Sequence, residues 1–285
     1  MSKKQMRVSL VVFAVVICAL IVGIILTGSS PEGESIRETM RNEVLHETNR
    51  IDLFGIMEVN PGLISAFCVT AVITVFALAV RIFAIPKFRY VPGKFQLVIE
   101  EAVGAFDRLA KGNSPHRNKF LGAYVFTAGA YIFVSTVFEL FGFQAVSISG
   151  YSVALPAPLS DINGAIAMGF LSYGIILSGG IAANGLRGVG KTLKDFSLPI
   201  SMSFRLFGAL LSGALVTELV YYYMALSFVI PVIVGVLFTL LHALIQAYVL
   251  TMLTAMFYGE VSEIPEARVK AKKRIKIKSG KETEI

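Results

Sequence analysis

SMSFRLFGALLSGALVTELV, residues 201–220, sets a permanent positive charge, Arg205, inside a run apolar enough to lie in a membrane. A guanidinium near the centre of a membrane helix costs about 3 kcal/mol on insertion scales. Unlike an ammonium, it does not readily shed its proton when buried. The charge therefore calls for an acidic partner, a water-filled cavity or another subunit.

The surrounding chain makes the membrane reading general. Of its 285 residues, 55% are hydrophobic and 16% charged, and the mean hydropathy is +0.72, which excludes an ordinary soluble domain. Six apolar stretches approach or exceed the length needed to cross a bilayer as a helix: 8–27, 62–84, 120–143, 162–183, 198–226 and 228–258. The alternation of a transmembrane barrel is absent, so backbone groups in lipid are expected to be satisfied within helices. The expected fold class is all-α: a polytopic membrane helix bundle with about six transmembrane segments, the last two long and antiparallel, plus an amphipathic interfacial helix.

Charge gives the orientation. Of 26 Lys and Arg residues, 22 fall in the amino-terminal stub, the connections 81–119 and 184–199, and the tail after Tyr258. The other side receives Arg37, Arg41 and Arg50 among seven acidic residues between Glu32 and Glu58. The positive-inside rule places both termini in the cytoplasm, in agreement with an even number of crossings. The expected organisation is an amino-terminal anchor helix and acidic extracytoplasmic loop over 1–61, a membrane domain over 62–259 and a basic cytoplasmic tail over 260–285. The first stretch is longer than a usual signal-peptide core and TGSSPEGES lacks an A-x-A cleavage site, which favours an uncleaved anchor over a cleaved signal. Cys18 and Cys68 lie in membrane stretches and are expected to be inert packing residues.

Between the second and third crossings, Phe95, Val98, Ile99, Val103, Phe106 and Leu109 recur at helical spacing with charges opposite. Such a helix lies in the cytoplasmic interface or packs on the bundle. The tail from Arg268 to Lys281 reads as a segment attracted to anionic lipid rather than to nucleic acid. Metal clusters, nucleophile elbows and complete phosphate loops are missing from the sequence, so no cofactor, metal or catalytic residue is expected.

Chemistry then rests on polar residues at membrane depth. After Arg205 come Gly208, Ser212, Gly213, Thr217 and Glu218; in the next stretch Thr239, His242 and Gln246 share one helical face. Two polar stripes on consecutive helices predict a hydrated or charge-handling seam. Glu139 and the pair Asp161 and Asn163, at the outer ends of their crossings, either line an entrance funnel or, for Asp161, cap a helix.

The segment SFRLFGALLSG, Ser203 to Gly213, resembles the arginine-helix motif of subunit a of F-type ATP synthases. LIQAYVLTMLT, Leu244 to Thr254, resembles that family's final-helix motif, PLSDINGAIAMG, Pro158 to Gly169, is similar to the segment opening the preceding crossing, and VPGKFQLVIEEAVGA precedes the third crossing as in the family. The resemblance implies a membrane stator beside a ring of c subunits, with a b-subunit peripheral stalk and other ATP synthase subunits as partners and no nucleotide site of its own. It implies that Arg205 faces the carboxylate of each passing c subunit, between two offset half-channels, and that Gln246 is a neutral hydrogen-bonding neighbour of the arginine. Gly208 and Gly213 permit close helix approach.

The chain departs from the family at Ala209, at Ala214, where a titratable residue is frequent, and at Thr239, where Glu or His is frequent. Glu218 and His242, each one turn away, are candidate replacements. The translocated ion is taken as a proton, with sodium as the alternative. A secondary transporter or channel using Arg205 to bind an anion is the competing class, but matching broken halves are not evident. Acidic outer loop and basic inner tail favour a bacterial plasma membrane.

Overall fold

The computed structural model describes residues 51–53, 57–115, 118–146, 152–222 and 230–263, together with Val15, Cys18 and Val22. The described residues of the first stretch, Val15, Cys18 and Val22, are helical and exposed; the rest of that crossing, most of the acidic loop and the basic tail lie outside the described residues.

A short antiparallel hairpin, β1 (Ile51–Leu53) with β2 (Met57–Val59), leads into helix α1 (Pro61–Ala79). Asn60 starts this helix by accepting the Gly62 N–H at 3.0 Å on its Oδ1, with Pro61 at the first helical position, where its missing N–H costs nothing. The helix continues as a π-turn (Val80–Ala84) and a 3-10 turn (Ile85–Lys87) that ends at extended Phe88. Then follow α2 (Lys94–Asn113), α3 (Asn118–Phe138), a 3-10 turn (Glu139–Phe141), the hairpin β3 (Gln144–Val146) with β4 (Ser152–Ala154) and a 3-10 turn (Pro158–Ser160). Helices α4 (Ile162–Asn184), α5 (Leu186–Leu193), α6 (Ser197–Tyr222) and α7 (Ile230–Ser262) complete the described chain.

Among the described residues five helices are long and apolar enough to cross a membrane: Pro61–Lys87, Phe120–Phe141, Ile162–Asn184, Ser197–Val216 and Gly235–Ser262. These coincide with the last five expected crossings, and the fold is the expected all-α polytopic bundle. Two features differ from the sequence reading. The third crossing stops as an α-helix at Phe138, five residues early, because the chain turns through Glu139–Phe141 into Gly142, whose φ of 61° lies in the left-handed region that favours glycine. The two hairpins were also unexpected, since their three-residue strands are too short to carry a period. Cys68 and Cys18 are exposed rather than packed; α1 turns most of its surface away from the described chain.

The chain divides into two compact units: Met1–Thr70, Val134–Gly164 and Leu206–Ile245 in the first, Ala71–Phe133, Ala165–Arg205 and Gln246–Ile285 in the second. In the second unit, α2 packs its carboxyl half on α3 through an edge-to-face pair, Phe106 with Phe126, at 5.8 Å. Its amino half leaves Phe95, Val98 and Val103 exposed, the apolar face expected of an interfacial helix. The last carbonyls of α7 are satisfied from outside the helix: Asn184 Nδ2 donates to Val261 O at 3.0 Å and Lys191 Nζ to Glu260 O at 2.6 Å.

Small residues set the distance between α4 and α6 in this unit. A Cβ on Gly169 would strike Ser203 Oγ and stand 2.8 Å from Pro199 O, so the two backbones meet there only because position 169 has no side chain. Gly169→Val should therefore force the helices apart at about 1–3 kcal/mol, the usual cost of overpacking. A thermal melt of the detergent-purified chain should show a lowered midpoint; an unchanged one would refute this crossing.

Candidate functional site

Helix α6 owes its orientation to a simple division of its surface. Met202, Ser203, Leu206 and Leu210 are buried, each under 5% exposed, at the spacing of one helical face. Ser201, Phe204, Arg205, Gly208 and Ser212 lie on the other face and are exposed. Ser203 helps hold the buried side by donating to Pro199 O at 2.7 Å, and Ser212 returns its hydroxyl to Ala209 O at 3.0 Å. Arg205 is thus turned outward. Among the described residues it has no hydrogen-bond or ion-pair partner, so the acidic partner that its position calls for is not supplied by the described part of this chain. Gly208, one turn on, is equally open: a Cβ there would meet no atom of the described residues within 4 Å.

Gln246 belongs to the same compact unit as Arg205 but is 6% exposed, and no hydrogen bond joins the two. Its Oε1 is buried without a partner among the described residues. An unsatisfied buried amide oxygen costs on the order of 1–3 kcal/mol. A donor from outside the described residues would remove that cost.

The first unit holds the remaining candidates. His242 stacks on Phe238 with ring centroids 5.9 Å apart, and its Nδ1 lies 2.8 Å from Phe238 O. A carbonyl can only accept, so Nδ1 is the ring nitrogen that donates in this contact. The imidazole lies beside Gly213, whose added Cβ would sit 3.7 Å from Nδ1. Thr239, His242 and Gln246 are therefore not one uniformly wet stripe: two are half-buried and the third is buried. Glu218 lies in the backbone of α6, but its side chain is outside those described.

Asp161 precedes α4 and its Oδ1 accepts from the Asn163 N–H at 3.1 Å and from Asn163 Nδ2 at 3.3 Å, which is the geometry of a helix cap. The same carboxylate packs beside Gly62, at the start of α1. Glu139 opens the 3-10 turn after α3, half-buried, and lines a cavity of about 90 Å³ with Ser160, Leu211 and Ala214 among its other walls. The structure thus brings Glu139 to position 214, a pairing that no spacing in the sequence announces, while Asp161 and Asn163 are engaged with each other.

A profile of the family described as "ATP synthase A chain" matches residues 63–259. Two curated proteins named ATP synthase subunit a, from two strains of Cereibacter sphaeroides, are each 28% identical to this chain over 199 residues, spanning 66% of it and 76% of their own length.

Proposed function

Because this chain belongs to the ATP synthase A chain family, we propose that it couples proton passage to rotation of a c-subunit ring, with Arg205 as the fixed charge that the ring passes. The chain is a multi-pass membrane protein and, as an ATP synthase subunit a, a stator component of a membrane complex with other ATP synthase subunits. The observation that carries the finer reading is the outward guanidinium of Arg205, which has no hydrogen-bond or ion-pair partner among the described residues, on a helix whose opposite face is buried.

A carboxylate on each ring subunit supplies the missing counter-charge. Opposite the guanidinium, the ionised form of that carboxylate is favoured, so a proton carried in is released there. The same fixed charge repels a cation attempting to pass directly from one side to the other. Protons reach and leave the ring by separate paths, and Glu218, His242, Glu139, Asp161 and Asn163 belong to the outer one. Gln246 offers its free carbonyl oxygen to Arg205 or to the ring when the face is covered. In this reading both termini are cytoplasmic, the membrane is a bacterial plasma membrane, and a b-subunit stalk anchors the chain against rotation.

Phe204, 62% exposed beside Arg205, provides the test. Replacing it with the photoreactive p-benzoylphenylalanine and illuminating the assembled complex should yield an adduct between this chain and a ring subunit. Adducts confined to lipid or to this chain would show that the arginine face does not meet the ring.

A further inference from the structure

Residues 81–99, RIFAIPKFRYVPGKFQLVI, carry four basic side chains, Arg81, Lys87, Arg89 and Lys94, and no acidic one. The stretch takes in the end of the crossing Pro61–Lys87, the bend after it and the start of α2, all within the second unit. The four basic side chains are exposed and make no hydrogen bond or ion pair with a described residue. The carboxylates that follow along α2 are engaged elsewhere. Glu100 Oε1 accepts from Gln96 Nε2 at 2.7 Å, Glu101 pairs with Arg108, and Asp107 pairs with Lys111. The bend is therefore a surface of uncompensated positive charge.

Its shape is held by the chain itself. Phe88 N–H donates to Ile85 O at 3.1 Å and closes the last turn of the crossing. The buried side chain of Gln96 then reaches back: its Oε1 accepts the Arg89 N–H at 3.0 Å and its Nε2 donates to Arg89 O at 2.8 Å. Both backbone groups of Arg89 are thus satisfied where neither a helix nor a sheet would do so. Around the charges, Phe83, Ile85, Tyr90, Val91, Phe95 and Val98 are exposed.

This combination selects the partner. A water-soluble anion would neutralise the charges and leave the apolar side chains uncovered, whereas an acidic phospholipid meets both, phosphate to cation and acyl chain to apolar surface. The position is suitable as well, since a long basic side chain such as Arg81, inside the end of a crossing, extends its head to the interface while its stem stays in the apolar layer.

We propose that the bend between the crossing Pro61–Lys87 and α2 is a docking site for acidic phospholipid, with Arg81, Lys87, Arg89 and Lys94 meeting the headgroup phosphates and the exposed apolar side chains meeting the acyl chains. The proposal goes beyond the stator reading and does not depend on it. It is also separate from the basic tail after Tyr258.

The test exploits the absence of tryptophan from the sequence. Tyr90 is fully exposed, so Tyr90→Trp places a single fluorophore at the bend without removing a packing contact. The full-length chain is reconstituted into phosphatidylcholine vesicles containing increasing amounts of dibrominated phosphatidylglycerol, whose bromine quenches tryptophan at short range and so reads the lipid at the bend, not at the tail. The binding constant of phosphatidylglycerol relative to phosphatidylcholine should exceed one by about fivefold or more, the factor that a single basic side chain contributes at an anionic surface. Replacing all four cations by Gln should bring it to about one, whereas Lys111→Gln, at a lysine already paired with Asp107, should leave it unchanged. A ratio of one in the Tyr90→Trp chain, or a preference that survives the fourfold replacement, overturns the proposal.

Salt gives the same decision where the fourfold variant does not fold. At 1 M sodium chloride the screening length falls to about 3 Å, so the preference of the Tyr90→Trp chain should drop; an unchanged ratio overturns the site. In the assembled ATP synthase complex, a photoreactive p-benzoylphenylalanine at position 90 should form adducts with phospholipid. Adducts with another protein subunit instead would show that a protein covers the bend, and would overturn the lipid assignment.

Discussion

Arg205→Ala should abolish ion-driven ATP synthesis while leaving the amount of assembled complex unchanged. The two halves of this expectation come from different observations. Arg205 is exposed and, among the described residues, pairs with nothing, so its removal breaks no hydrogen bond or ion pair of the described chain. Removal of a guanidinium from membrane depth also relieves a cost of about 3 kcal/mol. Stability is therefore kept or improved. Under the proposed mechanism function is lost because the ring carboxylate no longer meets a fixed positive charge, and with it go both the preference for ion release and the barrier to direct leakage. Arg205→Lys should rescue poorly, since an ammonium in a low-dielectric interface gives up its proton more readily and lacks the planar fork. The measurement is ATP synthesis under an imposed ion gradient by reconstituted complexes, with passive leak recorded in the same vesicles. Normal coupled synthesis by correctly assembled Arg205→Ala complexes would sink the assignment of Arg205 as the stator charge.

Why Arg205 could be found from sequence, and the cavity could not, has a physical explanation. A charge in an apolar run is a local violation, visible without knowledge of any neighbour. The outward direction of the residue was also within reach, because Met202, Ser203, Leu206 and Leu210 repeat at the spacing of one buried face. The five crossings coincide with their hydropathy for the same reason: each satisfies its backbone internally, so composition alone sets its extent. The amphipathic helix α2 was legible as a period, though only its carboxyl half, around Phe106 and Ala110, spends that face on the bundle.

Residues that act through chain reversal were not legible. Glu139 and Ala214 are 75 positions apart and meet because Gly142 reverses the chain and a hairpin returns it beside α6. Three-residue strands carry too little pattern to predict such a return. The spacing of Thr239, His242 and Gln246 was read correctly as one side of α7, but spacing does not say what covers that side. The structure buries Gln246 and ties His242 to Phe238. Asp161 illustrates the converse: a carboxylate just before a helix has a capping use whatever else it does, and its bonds to Asn163 are those of a cap.

Gly208 provides the second large effect, and it separates the needs of the fold from those of the partner. Glycine inside a helix is about 1 kcal/mol less favourable than alanine. At Gly169 that cost is offset by a neighbouring backbone that no side chain would let approach. At Gly208 no such neighbour exists among the described residues, for an added Cβ would meet none of their atoms within 4 Å. Whatever requires the absence of a side chain lies beyond the described chain, on the same exposed face as Arg205 and one turn away from it. In the proposed mechanism a ring helix, passing close enough for its carboxylate to reach the guanidinium, would supply that requirement, since small residues are what allow membrane helices to approach. Gly208→Ala should therefore insert and assemble normally and reduce synthesis only partly, whereas Gly208→Leu should assemble yet lose nearly all synthesis and ATP-driven pumping, because its side chain occupies the clearance through which each ring subunit must move. Rates of both reactions in reconstituted complexes, set against the amount of this chain retained in them, decide the matter. Full activity with leucine at position 208 would mean that the exposed face of α6 is not the face past which the ring turns.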